Sequence, residues 1–453
     1  MKRIPLPGII LSIFLLSLLY WLYLAFYTSV AVVFDSLEYE RLGRVLQHQG
    51  LMAYIKDGPQ NEPIYPLFIS LAMSIENFTG IGYAKIMAIF GVIILSVTQT
   101  LTYAVLRQLR IRVSICALVL IYLGLSPALL NSAFSLYSEI AAYPFILGIV
   151  LAAFACWRRI EQNNKKAVLF GGLLGICSAA ATLVKAVFEC VFPAYLIIFA
   201  TTALLTHKKQ ISKKLTTMAI LAAAVFYYIP ITGYKWLNQN LNGNFVITNR
   251  APWALYGNTA RRVEPLTPKK FLAGLAYVPG EGVCNGIFGP KECNFWSYRV
   301  SDYFGLTKLH ELTDRHLSSS AINDTLLHLS VQKAIQNPAQ YIVLTITEGF
   351  KMFFWESTKI GYVNYPPWLT RIYNHTLFKN ILRLMVSLTT ILAFFYGWIY
   401  IFKCQQVLTG FILTLLTLTI AFYSPFFILT RYALPLAPLY LIISGYALER
   451  FFF

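Results

Sequence analysis

Long apolar stretches recur along the chain, separated by short polar or basic breaks. They fall at 7–30, 82–106, 113–130, 139–157, 168–184, 187–205, 215–232, 383–402, 407–425 and 431–448. Each runs about 17 residues or more, the length a helix needs to cross a hydrocarbon core of about 30 Å. None shows the roughly ten-residue alternation of a lipid-facing strand, so the pattern predicts helices rather than a barrel. The stretch 168–205 would be roughly 57 Å long as one helix, which makes it two spans with a turn near Lys185. Segment 338–356 admits two readings, because its apolar run from Tyr341 is broken by Glu348 and Lys351. The total is ten spans if it lies along the surface and eleven if it crosses. The expected fold class is an all-α polytopic membrane protein.

The basic runs orient these helices. Residues 1–3, 107–112, 158–166 and 207–214 carry the Lys and Arg clusters, and the positive-inside rule puts them in the cytoplasm. That leaves 31–81, 131–138, the turn near Lys185 and 233–337 on the extracytoplasmic side. The first apolar stretch follows Lys2-Arg3, like the start of a signal peptide, but lacks a small-x-small cleavage site. It is therefore read as an uncleaved first span. Three regions follow: an N-terminal transmembrane module, 1–232, which includes the first loop, 31–81; a loop region, 233–337; and a C-terminal transmembrane module, 338–453. A loop as long as 233–337 is usually functional in a compact protein.

Composition removes several function classes. Hydrophobic residues make up 57% of the chain and charged residues only 12%, against about 25% charged in soluble domains. The net charge of +18 does not signal nucleic acid, because the cations lie in short runs between apolar stretches. There is no GxxxxGK[ST], HExxH or dinucleotide fingerprint, so ATP-driven transport and zinc hydrolysis have no support in the sequence. Cys116, Cys156, Cys177, Cys190 and Cys404 lie in or beside spans, as small hydrophobes do. Cys284 and Cys293 lie in a polar, Gly-rich stretch, where a disulfide fits an oxidising compartment.

The candidate chemistry gathers on one side. Asp35, Glu38 and Tyr39 follow the first span directly. A carboxylate in hydrocarbon costs about 2.5 to 3.5 kcal/mol, so Asp35 belongs at the interface, and helical spacing would place Asp35, Glu38 and Tyr39 on one face. Glu62 and Tyr65 sit in Asn61-Glu-Pro-Ile-Tyr-Pro66, ahead of an apolar helix. Ser138-Glu139 opens the fourth span, where a cap and an acidic first turn are the plain alternative. Lys185 lies at the outer turn, with Glu189 at i+4 offering an ion pair. Arg431-Tyr432 precedes Pro435 and Pro438 at the last span, and its guanidinium suits phosphate recognition.

In order and spacing these motifs resemble the GT-C superfamily of polyprenyl-phosphate-sugar-dependent glycosyltransferases, in the branch of bacterial aminoarabinose transferases and protein O-mannosyltransferases. The resemblance includes Gly243-Asn-Phe245 and Tyr256-Gly-Asn258 in the large loop. It implies a GT-C-like bundle of about ten to eleven transmembrane helices with two extracytoplasmic loops, in a bacterial inner membrane. It also implies an inverting transfer from a polyprenyl-phosphate donor to a lipid, glycan or protein acceptor. Asp35 would be the general base, with Glu38 and Glu139 as further acidic candidates. Lys185 and Arg431 would bind the donor phosphate, supported by Tyr39, Glu62, Tyr65, Tyr432 and Asn258. The sequence departs from the family where Ser36 follows Asp35, where Ala186 follows Lys185, and where Asn61 precedes Glu62. No cofactor is expected, although Asp35 and Glu139 could hold a divalent metal if they converge. The rival readings are a ligase or polymerase using lipid-pyrophosphate-linked glycans and a secondary transporter.

Overall fold

The computed structural model describes residues 8–58, 61–206, 213–260, 265–358, 362–404 and 406–452. The basic clusters at 1–3 and 207–212 lie outside the described residues. The first half of the chain runs through α1 (Gly8–Tyr27), β1 (Ser29–Val30), α2 (Asp35–Lys56), α3 (Ile64–Thr79), α4 (Tyr83–Gln108), α5 (Val113–Leu125), α6 (Pro127–Phe134), α7 (Glu139–Glu161), α8 (Lys166–Val184), α9 (Phe188–Thr206) and α10 (Lys213–Asn242). The large loop holds α11 (Arg250–Ala260), α12 (Pro268–Tyr277), α13 (Glu281–Phe288), α14 (Pro290–Asn294), α15 (Tyr298–Asp314) and α16 (Ser319–Gln336). The remainder is α17 (Pro338–Lys351), β2 (Val363–Asn364), α18 (Pro367–Asn374), α19 (Thr376–Cys404), α20 (Val407–Tyr423), a 3-10 turn (Thr430–Leu436) and α21 (Ala437–Phe452).

Every apolar stretch forms a helix. Among the described residues seven helices are long and apolar enough to cross a membrane, and α5 with α6, bent by 47°, makes an eighth. Two shorter apolar helices, Phe188–Leu204 and Val407–Tyr423, complete the set. The protein is a multi-pass membrane protein. Helix α17 has 14 residues, or about 21 Å, which is too short to cross a hydrocarbon core by itself. Its two charges pair inside the protein: Lys351 Nζ lies 2.8 Å from Glu348 Oε2, and both side chains are buried.

The bundle packs through small residues. A Cβ at Gly171 would meet the Ala219 carbonyl at 2.2 Å, and one at Gly175 the Ala223 carbonyl at 2.3 Å. Helices α8 and α10 therefore touch backbone to backbone, which helices in lipid achieve with small residues at i and i+4. The α5–α6 bend follows from Pro127, which opens a new helix under the Ser126 cap. Glu356 sits in that elbow, accepting from Ser126 Oγ at 2.7 Å and from Ala128 N at 2.9 Å. Burial pushes its carboxyl up, and hydrogen bonds from Tyr122 and Ser126 oppose that rise.

Both long loops are helical. The second builds two small cores, one around Cys284, Cys293 and Trp296, the other around Trp253, Leu312 and Leu326. Cys284 and Cys293 form a disulfide, as their polar setting predicts. The first loop is tied across the molecule by the pairing of β1 with β2, Ser29 opposite Asn364.

Candidate functional site

The site begins with a strained turn. Phe34 has φ +53°, a region that costs a bulky residue of order 1–3 kcal/mol. The Ala31 amide is held by the Tyr362 carbonyl at 3.0 Å, and the Phe34 ring stands on edge against Tyr362. Ser36 turns back onto Val33, whose amide it accepts at 2.8 Å. Asp35, the first residue of α2, is left to project across the molecule. It forms an ion pair with Arg431, 396 residues away.

Arg431 reaches that position because Pro435 and Pro438 prevent the last span from starting earlier as a regular helix. The 3-10 turn lays its guanidinium over the Tyr137 ring at 4.9 Å and beside Tyr432 at 5.8 Å. Tyr432 stacks on Tyr423 and accepts a long hydrogen bond, 3.5 Å, from Arg250 Nη2. Burial alone would raise the Asp35 carboxyl, but Arg431, then Arg250 and Lys185, hold it below its ordinary value. Asp35 remains one-third exposed, so another molecule can reach it.

The second pair is Glu139 with Lys185, at 3.2 Å. The i,i+4 pairing of Lys185 with Glu189 is not made. Lys185 ends α8 in extended backbone and turns toward α7, while Glu189 pairs with Lys235 at 2.6 Å. Although burial opposes its charge, Glu139 and the neighbouring Tyr39 and Glu62 raise the Lys185 ammonium above its ordinary value. The turn is fixed by Glu62, whose carboxylate accepts from the Ala186 amide at 2.7 Å. Glu62 therefore positions Lys185 through the backbone.

Tyr39 and Tyr65 join these parts. The Tyr39 hydroxyl lies 2.9 Å from Ser138 Oγ, its ring stands on edge against Tyr65, and Tyr65 donates to the Ser135 carbonyl at 3.3 Å. Burial pushes the Tyr39 phenol up to about 12, so it keeps its proton. Ser138 makes no side-chain cap bond on α7; Tyr39 occupies it instead. Among the described residues, two buried atoms here, Glu139 Oε2 and Arg431 Nε, have no hydrogen-bond partner.

Two predicted candidates lie elsewhere. Glu38 does not share the Asp35 site, because Arg41 at i+3 holds it at 2.8 Å on the exposed face of α2. Asn258 is buried and donates to the Pro425 carbonyl at 2.6 Å, tying α11 to the segment that leads into Arg431. Asp35 and Glu139 each face their own cation. Among the described residues no group of three or more His, Cys, Asp or Glu side chains gathers as a metal site would. Sequence reasoning missed Arg250 and Asp302. Arg250 acts on Asp35, and Asp302 feels both, its carboxyl raised first by burial, while Arg250 opposes and Asp35 adds to the rise. Arg250 is the only charged residue between Lys235 and Arg261, which was the available signal.

No protein-family profile matches the chain, and no curated protein matches its sequence. Its structure is similar to that of the archaeal oligosaccharyltransferase AglB from Archaeoglobus fulgidus, solved in complex with an inhibitory peptide and a dolichol-phosphate. The TM-score is 0.52 at 11% identity, over 97% of this chain and 50% of that one. The likeness is one of fold. This chain spans half the length of the AglB chain. What the likeness carries is the fold, an all-α membrane bundle.

Proposed function

We propose that this protein is an inverting membrane glycosyltransferase that moves a sugar from a polyprenyl-phosphate donor to a hydroxyl or phosphate acceptor. The reading places its site on the extracytoplasmic face of an inner membrane, the face opposite the basic runs. One observation carries it: a reachable Asp35 ion-paired with Arg431 across 396 residues, with Arg250 and Lys185 adding to the positive charge that holds its carboxyl low. The ionised carboxylate can accept a proton, and the cations beside it suit the release of a phosphate. The acceptor hydroxyl gives its proton to Asp35 and its oxygen bonds to the anomeric carbon. The bond from that carbon to the phosphate oxygen breaks, and the electron pair leaves on the polyprenyl phosphate. Arg431, Arg250 and Lys185 stabilise the charge growing on that phosphate. The helices of 233–337, packed on the segment before Arg431 through Asn258, would recognise the acceptor.

The test is transfer by purified protein in lipid, supplied with labelled polyprenyl-phosphate sugars. Wild-type turnover that Asp35→Asn abolishes supports the assignment, and equal turnover in both overturns Asp35 as the base. A second reading is transfer of a whole glycan from a lipid carrier, favoured by the fold shared with an enzyme named an oligosaccharyltransferase. Turnover of lipid-pyrophosphate glycans, with none of single-sugar donors, would select it. Solute uptake by vesicles with neither transfer would instead indicate a transporter.

A further inference from the structure

Helix α7 begins at Glu139, in the site just described, and ends at Glu161, about 33 Å away along the helix. At that far end, the last turns of α4 and α7 border an open hollow of about 520 Å³. It is lined by Arg107, Arg110, Arg158, Phe154 and Trp157, with Glu161 as the one carboxylate. Glu161 is bonded to Trp157 Nε1 at 2.8 Å.

Cations at helix C-termini are ordinary, since they complement the helix dipole, and Arg107 does donate to the Ile111 carbonyl at 3.1 Å. That does not account for the whole arrangement. Among the described residues, the buried Arg107 Nε has no hydrogen-bond partner. Arg110 occupies a left-handed position at φ +60°, where glycine would avoid a cost of about 1–2 kcal/mol. Arg158 lies over the Phe154 ring, 5.7 Å from its centre, which holds its planar fork in place. Three arginines and the Phe154 ring thus line a hollow at the boundary of the spans, with Trp157 buried behind them, where the headgroup of a bilayer lipid would lie.

We infer that this cavity binds the phosphate headgroup of an anionic phospholipid. The guanidiniums take the phosphate and the half-buried Phe154 ring lies against the glycerol and upper acyl chain. The site is separate from the proposed catalytic one and does not depend on it.

The experiment reconstitutes the full chain in phosphatidylcholine nanodiscs containing a minor fraction of phosphatidylglycerol. After extraction into detergent, the lipids that remain bound are counted by native mass spectrometry. Wild type should retain phosphatidylglycerol in preference to phosphatidylcholine. Arg158→Gln, a change at an exposed side chain, should weaken that retention roughly tenfold, and Arg107→Gln with Arg158→Gln roughly a hundredfold. Arg158→Lys should recover part of it. Arg159→Gln, on the same helix but outside the cavity wall, should leave it unchanged. Equal retention by wild type and Arg158→Gln, or an equal loss in Arg159→Gln, would overturn the site. Displacement of the lipid by an equimolar soluble glycerol phosphate would show recognition of a free phosphoanion and overturn the lipid assignment.

Discussion

Two ion pairs in this molecule share their chemistry and differ in everything around it. Glu348 and Lys351 are three residues apart on α17, completely enclosed, and the carboxylate also accepts from the Ile428 amide at 2.9 Å. Asp35 and Arg431 are brought together across 396 residues, sit partly open, and have Arg250 and Lys185 beside them. The first pair is satisfied by the protein that surrounds it. The second leaves excess positive charge and a reachable carboxylate, to which the proposed function gives separate roles, the cations for the donor phosphate and the carboxylate for the acceptor's proton. The contrast shows that a charged pair becomes a candidate site through exposure and unmatched neighbours rather than through pairing itself.

The sharpest way to break the contrast is to neutralise one member of each pair. Asp35→Asn should lower transfer by about 10²–10⁴-fold while thermal unfolding in detergent stays near wild type. Activity near wild type would remove Asp35 from the chemistry. Lys351→Met should do the reverse, because it strands a buried carboxylate at a cost of about 3–5 kcal/mol. That appears as a lowered melting temperature, and an unchanged melt would mean that Glu348 is neutral or solvated.

A finer test uses pH. Asp35 is held below the ordinary carboxylate range by its cations, against the opposite pull of burial. Transfer should therefore persist through mildly acidic pH and fall only as pH drops through that depressed value. In Arg431→Gln the largest opposing charge is gone and burial counts for more. The acid limb of kcat/KM should then move to higher pH, with a raised KM for the lipid donor. Coincident acid limbs would mean that Arg431 does not act on Asp35 in the working enzyme. Glu62→Gln should cost less, roughly tenfold in activity, because it loosens the Lys185 turn without removing a charge from the donor. Smallest of all, Glu38→Gln should change stability by at most about 0.5 kcal/mol and activity little, since its pair with Arg41 is exposed. A large loss there would return Glu38 to the site.

The sequence by itself determined the membrane helices, because spanning depends on the length of a local apolar run and is scarcely altered by neighbours. It also placed Asp35, Glu139, Lys185 and Arg431 at the breaks between spans, where charge is tolerable, and Cys284 within reach of Cys293, nine residues on. Only the tertiary structure decided which charges meet. Lys185 passes over Glu189, four residues away, for Glu139, 46 residues away, and Glu38 turns aside to Arg41. Arg250 carries no periodic signal that would reveal its place beside Asp35. Nor does Glu356, whose partners lie about 230 residues earlier. Charges interact through space, and their separation there is set by how ten apolar helices pack. Hydrophobic periodicity records which face of each helix is buried, but not which distant side chain that burial brings alongside.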